Sequence, residues 1–241
     1  MRQKRLVIAA AATFAVVVIS GIVTRTRIVK AQSSAFTIKY VEKSGDWTRD
    51  SFYTRRSDGS NVESRVATAP DGKQYEQRTV IDTVSRAKVA IDGLTESITT
   101  YPLSQARVEG YKKPASNCIS EEPSPSESTL LGYRIVRRSL TLPAGRYQRV
   151  ETWLAPDLGC VILRSETFGH DSQGHEVSLA SKEATSITRG DPDPTLFVIP
   201  NWQERSPSEV FAAYGAKFGT EAPAAAGRGL DAAYLAAQRH R

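Results

Sequence analysis

The stretch RYQRVETWLAPDLGCVILRSETFG, Arg146–Gly169, decides the fold. Val150, Thr152 and Leu154 alternate with Arg149, Glu151 and Trp153. A period of two puts alternate side chains on opposite sides of a strand, one wet and one buried, whereas a helix would scatter them. Pro156-Asp-Leu-Gly159 then offers turn chemistry, because proline presets φ and glycine accepts a positive one. Cys160–Gly169 returns as a second strand. The unit is an antiparallel hairpin with one solvated face.

The same grammar extends in both directions. Upstream, Phe36, Ile38 and Tyr40 share one side of an extended segment, with Thr37 and Lys39 on the other. Strands are predicted at 75–82, 87–92, 96–102, 132–142 and 146–154, and again at 160–169 and 176–188. Turn signals punctuate them at Ser57-Asp-Gly-Ser60, Pro70-Asp-Gly-Lys73, Pro143-Ala-Gly-Arg146 and Asp171-Ser-Gln-Gly174. Residues 112–128, rich in proline and serine, read as a surface excursion. The sheet is expected to end at Asp191-Pro-Asp-Pro-Thr-Leu-Phe-Val-Ile-Pro200. Ser206-Pro-Ser-Glu209 opens a helix with a capping box, and Val210, Phe211, Tyr214 and Phe218 form its apolar stripe. An Ala/Gly/Pro linker at 219–229 and a weak helix at 231–239 follow. No helix is expected between residues 36 and 130. The fold class is mainly β (α+β): a strongly curved antiparallel sheet or incomplete β-barrel, with one or two C-terminal helices and a transmembrane helix before it. The division is 1–31 for membrane targeting, 32–205 for the β domain and 206–241 for the C-terminal helices.

The formal charge of +6 over 241 residues suggests nucleic acid, but its distribution removes that partner. Arg2, Lys4, Arg5, Arg25, Arg27 and Lys30 precede residue 32, and the first acid is Glu42. Of the 32 basic residues 26 therefore remain, against 26 acids. The excess flanks Leu6–Val23, an uncharged run just long enough to cross a bilayer. It reads as an uncleaved anchor, or as a signal peptide cut after Ala31 or Ala35. Its length exceeds the roughly 7–15 residues of a usual signal core, which favours the anchor. The rest of the chain is expected in the cell envelope, periplasmic or extracellular, held at the inner membrane. The two cysteines, Cys118 and Cys160, suit a disulfide in an oxidising compartment; two separate buried thiols are the plainer alternative.

Catalytic and cofactor motifs do not emerge: there is no G-x-S-x-G, H-E-x-x-H, Walker loop or dinucleotide fingerprint. His170 and His175 straddle a turn but lack a third ligand type nearby, so a solvated hairpin explains them better than a metal. Asp191-Pro-Asp193 reads as a turn at the end of the sheet, and Glu121 with Glu122 as solvated loop carboxylates. Arg134, Arg137 and Arg138 are the candidate contacts for a lipid headgroup or a partner; otherwise they form the wet side of a strand, paired with neighbouring acids. No cofactor or metal is expected.

Leu130-Leu-Gly-Tyr133, Glu151-Thr-Trp-Leu-Ala-Pro-Asp-Leu-Gly-Cys160 and Gly190-Asp-Pro-Asp-Pro-Thr-Leu-Phe-Val-Ile-Pro200 resemble a pattern in uncharacterised exported bacterial proteins. That pattern is similar to the periplasmic lipoprotein-carrier (LolA-like) proteins, over roughly residues 75–203. The resemblance implies an incomplete antiparallel barrel over helices, and carriage or sensing of acylated molecules. It transfers no ligand residues.

Two functions follow as expectations. One is a non-enzymatic envelope protein binding a lipid, lipoprotein or hydrophobic peptide on the concave face of its sheet. The other is a membrane-anchored interaction or envelope-stress regulatory module. Many strands present apolar positions and one helix has a clear stripe to cover them. That imbalance predicts an apolar groove, with Val210, Phe211, Tyr214 and Phe218 packed inward near Trp153 and Phe168.

Overall fold

The computed structural model describes residues 35–218, apart from 46, 70, 114–117, 119–128 and 143–146. The hydrophobic segment 6–23, the pair Glu121 and Glu122, and the expected linker and second C-terminal helix lie outside the described residues. Among those described, no helix is long and apolar enough to cross a membrane.

Eleven strands form one sheet. β1 (Phe36–Ser44), β2 (Trp47–Arg55), β3 (Asn61–Thr68), β4 (Gln74–Asp82), β5 (Ala87–Asp92) and β6 (Ser97–Pro102) make a meander. Helix α1 (Gln105–Lys112) follows, then a separate two-stranded hairpin of β7 (Thr129–Leu130) and β8 (Tyr133–Arg134). A second meander runs through β9 (Val136–Thr141), β10 (Tyr147–Ala155), β11 (Val161–His170) and β12 (Glu176–Arg189). β13 (Gln203–Glu204) and helix α2 (Pro207–Phe218) complete the chain. The order across the sheet is β13-β6-β5-β4-β3-β2-β1-β12-β11-β10-β9. β12 thus pairs antiparallel with β1, Phe36 opposite Arg189, and joins the two meanders at the middle. The sheet is open, not closed into a barrel.

Three expectations need correction. A helix does lie between residues 36 and 130: α1 escaped notice because it buries a single apolar side chain, Val108, and so has no stripe. Its signal was the cap, Ser104 accepting from the Arg107 N–H. The expected strand at 132–142 is broken at Ile135, whose buried side chain turns the chain from the small hairpin into β9. The C-terminal stripe is not packed as expected. Phe211 is 63% exposed, and α2 docks through Tyr214 on the side of β4 and β5, remote from Trp153 and Phe168.

Register divides the sheet into two faces. Phe36, Ile38, Tyr40 and Glu42 of β1 share a face with Arg55, Tyr53, Ser51 and Arg49 of β2. This we call the hairpin face, because Ile135, Leu130 and Tyr133 pack on it against Phe36, Ile38, Leu163 and Ala184. α1 covers the same face farther along, Val108 meeting Ile81 and Leu103. On the opposite face Val62, Val80, Val89 and Ile91 are covered by Phe197 and Trp202. Arg78 holds that cover down, its guanidinium donating to the carbonyls of Leu196 and Val198 at 3.1 Å each. The core therefore changes face along the sheet, and each half has its own lid drawn from the chain itself.

Candidate functional site

Between the lids, the hairpin face is polar. Glu42 occupies the fourth place in the row Phe36, Ile38, Tyr40, and is 4% exposed. Its carboxylate accepts from Arg49 at 2.6 Å and from Ser51 at 2.7 Å, and lies 3.4 Å from the Lys182 ammonium. Lys182 also reaches Glu63 at 2.7 Å and sits over the Tyr40 ring. Burial raises the Glu42 pKa, but Lys182 and Arg49 outweigh it, and the net direction is downward. The polar band continues through Arg65, which donates to Gln77 at 3.0 Å, and Gln77, which donates to Asp92 at 3.3 Å. Tyr214 of α2 ends it by donating to Asp92. Burial, then the Asp92 carboxylate, pushes the Tyr214 hydroxyl well above its usual range, so it stays a donor. One charged and hydrogen-bonded row thus crosses from β12 to α2. Sequence reasoning missed it because its partners are set by register; the legible hint was a carboxylate continuing an apolar row.

The disulfide is formed: Cys118 and Cys160 are bonded, with 5.5 Å between their Cα atoms. It ties residue 118 to the turn between β10 and β11, where Gly159 and Cys160 both adopt positive φ.

The three arginines are not brought together. Arg134 is on β8, in the small hairpin, and is exposed. Arg137 and Arg138 are neighbours on β9, so the strand sends them to opposite faces. Arg137 donates to Glu151 at 2.5 Å and lies over Trp153, which Arg164 flanks at 4.7 Å. Glu151 is buried and also takes Arg149.

The other candidates are structural. Asp171 accepts from the N–H groups of Gln173 and His175, at 2.8 and 2.9 Å, which closes the turn and lowers its pKa. His175 faces Asp171 at 3.4 Å. Asp193 caps a short 3-10 turn by accepting from the Thr195 N–H, and Asp191 accepts from that of Ser57. Among the described residues, no group of three or more His, Cys, Asp or Glu is placed to hold a metal. A depression of about 210 Å³ lies between Arg56, Asp58, Val80, Asp82 and Phe197, below the roughly 300–1,000 Å³ of ordinary ligand pockets.

No protein-family model and no curated protein matches the chain. Among solved structures it is similar to the MucA/MucB complex of Pseudomonas aeruginosa, at 19% identity and a TM-score of 0.42, over 73% of this chain and 60% of the matched one. It is similar to PNGF-II at 12% identity and a TM-score of 0.44, over 74% of this chain and 32% of that one. The chain thus spans three fifths or less of the length of these two. A LolA superfamily protein of Nitrosomonas europaea is similar over 69% of this chain and 91% of its own, at 8% identity and a TM-score of 0.29.

Proposed function

We propose that the chain is a non-enzymatic interaction module of the cell envelope, attached to the membrane through residues 6–23, that binds a polypeptide segment on its open sheet. The charged band carries this reading. Most apolar side chains of both faces are covered by the chain's own hairpin, helix α1 and the 194–202 segment, while Trp47 and Val66 stay 40% and 38% exposed. What the hairpin face leaves between them is Glu42, Arg49, Glu63 and Lys182. An acyl chain laid there would strip water from Glu63, whose side chain is 44% exposed, without offering it a partner, and would gain little from Glu42, Arg49 and Lys182, which already satisfy one another. A polypeptide brings its own donors and acceptors.

A second reading, carriage of a lipid, lipoprotein or hydrophobic peptide, is favoured by Val198 and Phe211, which are 60% and 63% exposed. A photo-crosslinking residue at Thr79 or Arg138, irradiated in native envelopes, separates the two. Polypeptide adducts at defined mass support the first. Stoichiometric co-purified lipid with no polypeptide adduct replaces it with the second.

A further inference from the structure

The two borders of the large sheet are treated differently. At one, the chain covers its own edge: β13 runs parallel to β6, the Arg205 N–H donates to the Ile98 carbonyl at 2.8 Å, and Thr99 Oγ1 donates to the Arg205 carbonyl. At the other, β9 pairs with β10 and, among the described residues, with no further strand. The phase of that ladder is fixed. Leu142 donates its N–H to the Gln148 carbonyl at 2.7 Å, and bonded positions alternate in an antiparallel pair. Leu140, Arg138 and Val136 therefore turn their main-chain groups to β10, and Arg137, Ser139 and Thr141 turn theirs to the open side.

The charge of this border is one-signed. β9, Val136–Thr141, holds Arg137 and Arg138 and no acid. Arg137 serves one face of β9 and Arg138 the other, so a strand laid alongside meets a guanidinium on each of its sides. Glu151, the acid beneath Arg137, is shared with Arg149. A second copy is the wrong occupant, because β9 paired with itself brings two more arginines and no acid to the same border, and leaves every guanidinium there without a carboxylate across the seam. We propose that β9 accepts an extended segment of a partner polypeptide as a further strand, and that this segment carries adjacent acidic residues flanked by β-branched ones. Main-chain bonds to Arg137, Ser139 and Thr141 supply the affinity; the adjacent carboxylates, one per face, supply the selection. This rests on the reading of the chain as a polypeptide-binding module and names the border used.

The probe is a fluorescein-labelled peptide, TVTVEEVTV, with TVTVKKVTV as its control, titrated by anisotropy into the full chain in nonionic detergent. The acidic peptide is expected to bind at least tenfold more tightly. Amide hydrogen exchange of the unmodified protein should then slow at Arg137, Ser139 and Thr141, and stay unchanged at Val136, Arg138 and Leu140. Ser139→Pro removes an outward N–H without touching the β10 ladder, and should weaken binding at least tenfold at an unaltered melting temperature. Arg138→Ser should weaken it several-fold. Equal binding of both peptides, no binding, or protection elsewhere overturns the proposal. So does displacement by soluble dihexanoylphosphatidylglycerol, which would make the site one for an anionic headgroup, or protection of the same amides by self-association alone. Envelope polypeptides that crosslink to the chain while the probe leaves β9 unprotected overturn the edge and spare the broader reading. An absence of any polypeptide adduct overturns both.

Discussion

Glu42 shows how a single buried carboxylate ties three strands together. It is held by Arg49 and Ser51 of β2 and by Lys182 of β12. Because its folded pKa lies below the ordinary 4.5, its stabilisation is complete at neutral pH and is lost as pH falls through that lower value. Glu42→Gln should cost about 3–5 kcal/mol at pH 7, since it leaves Lys182 and Arg49 without their buried partner. The same variant should flatten the acid limb of the stability curve; an unchanged limb in urea melts between pH 3 and 7 would refute the account. On α2, Phe211→Ala should change stability by less than about 0.5 kcal/mol, since the side chain is in solvent. Tyr214→Phe should cost about 1–3 kcal/mol, because the buried tyrosine's hydroxyl is the donor to half-buried Asp92. Equal effects in denaturant titrations would mean α2 is not docked by its tyrosine. The apolar stripe was legible in the sequence; its partner was not. A helix with four apolar residues reads as core-facing, and only the sheet register reveals that its dock is a hydrogen-bonded patch.

Among the elements, the disulfide spans 42 residues of chain. Closing a loop of that length removes unfolded-state entropy worth about 4 kcal/mol. Cys118→Ser with Cys160→Ser should therefore lower the melting temperature by about 8–16 °C for a domain of this size. Calorimetry showing no change would mean residue 118 gains nothing from its tether. β4–β6 and β10–β12 were readable because apolar positions recur along each and turn residues bracket them, whereas β8 and β9 merged into one expected strand and the two-residue β7 and β13 are too short to carry a period. β2 and β3 were not read as strands. Thr48, Arg49, Asp50 and Glu63 put polar groups on both their faces, so no period of two emerges, and the ion-paired band adds to the packing of Phe52, Tyr53 and Val62 in holding them.

At the scale of the molecule, stability depends on lids that arrive late in the chain. Phe197 and Trp202 cover Val62, Val80, Val89 and Ile91, and β13 shields the β6 edge. A chain ending at Gly190 should lose about 3 kcal/mol or more, because each large side chain taken from water contributes roughly 1.5–3. It should also bind a hydrophobic dye and self-associate through the bared edge. Unchanged melting and a monomer in sedimentation would show that the 194–205 segment is dispensable.

The pairing of β1 with β12 also sets a timetable. β1 lies at the centre of the sheet, yet one of its two neighbours is the last long strand to be made. As the chain emerges from N to C terminus, β1–β6 can assemble while the β12 side of β1 stays bare. At about 5–20 residues per second that interval lasts on the order of 10–30 s. Until Glu176–Arg189 arrives, Glu42 lacks Lys182, and a row of unpaired main-chain groups runs down the future midline. A nascent chain stalled after residue 175 should thus recruit holding chaperones, and one stalled after residue 218 should release them.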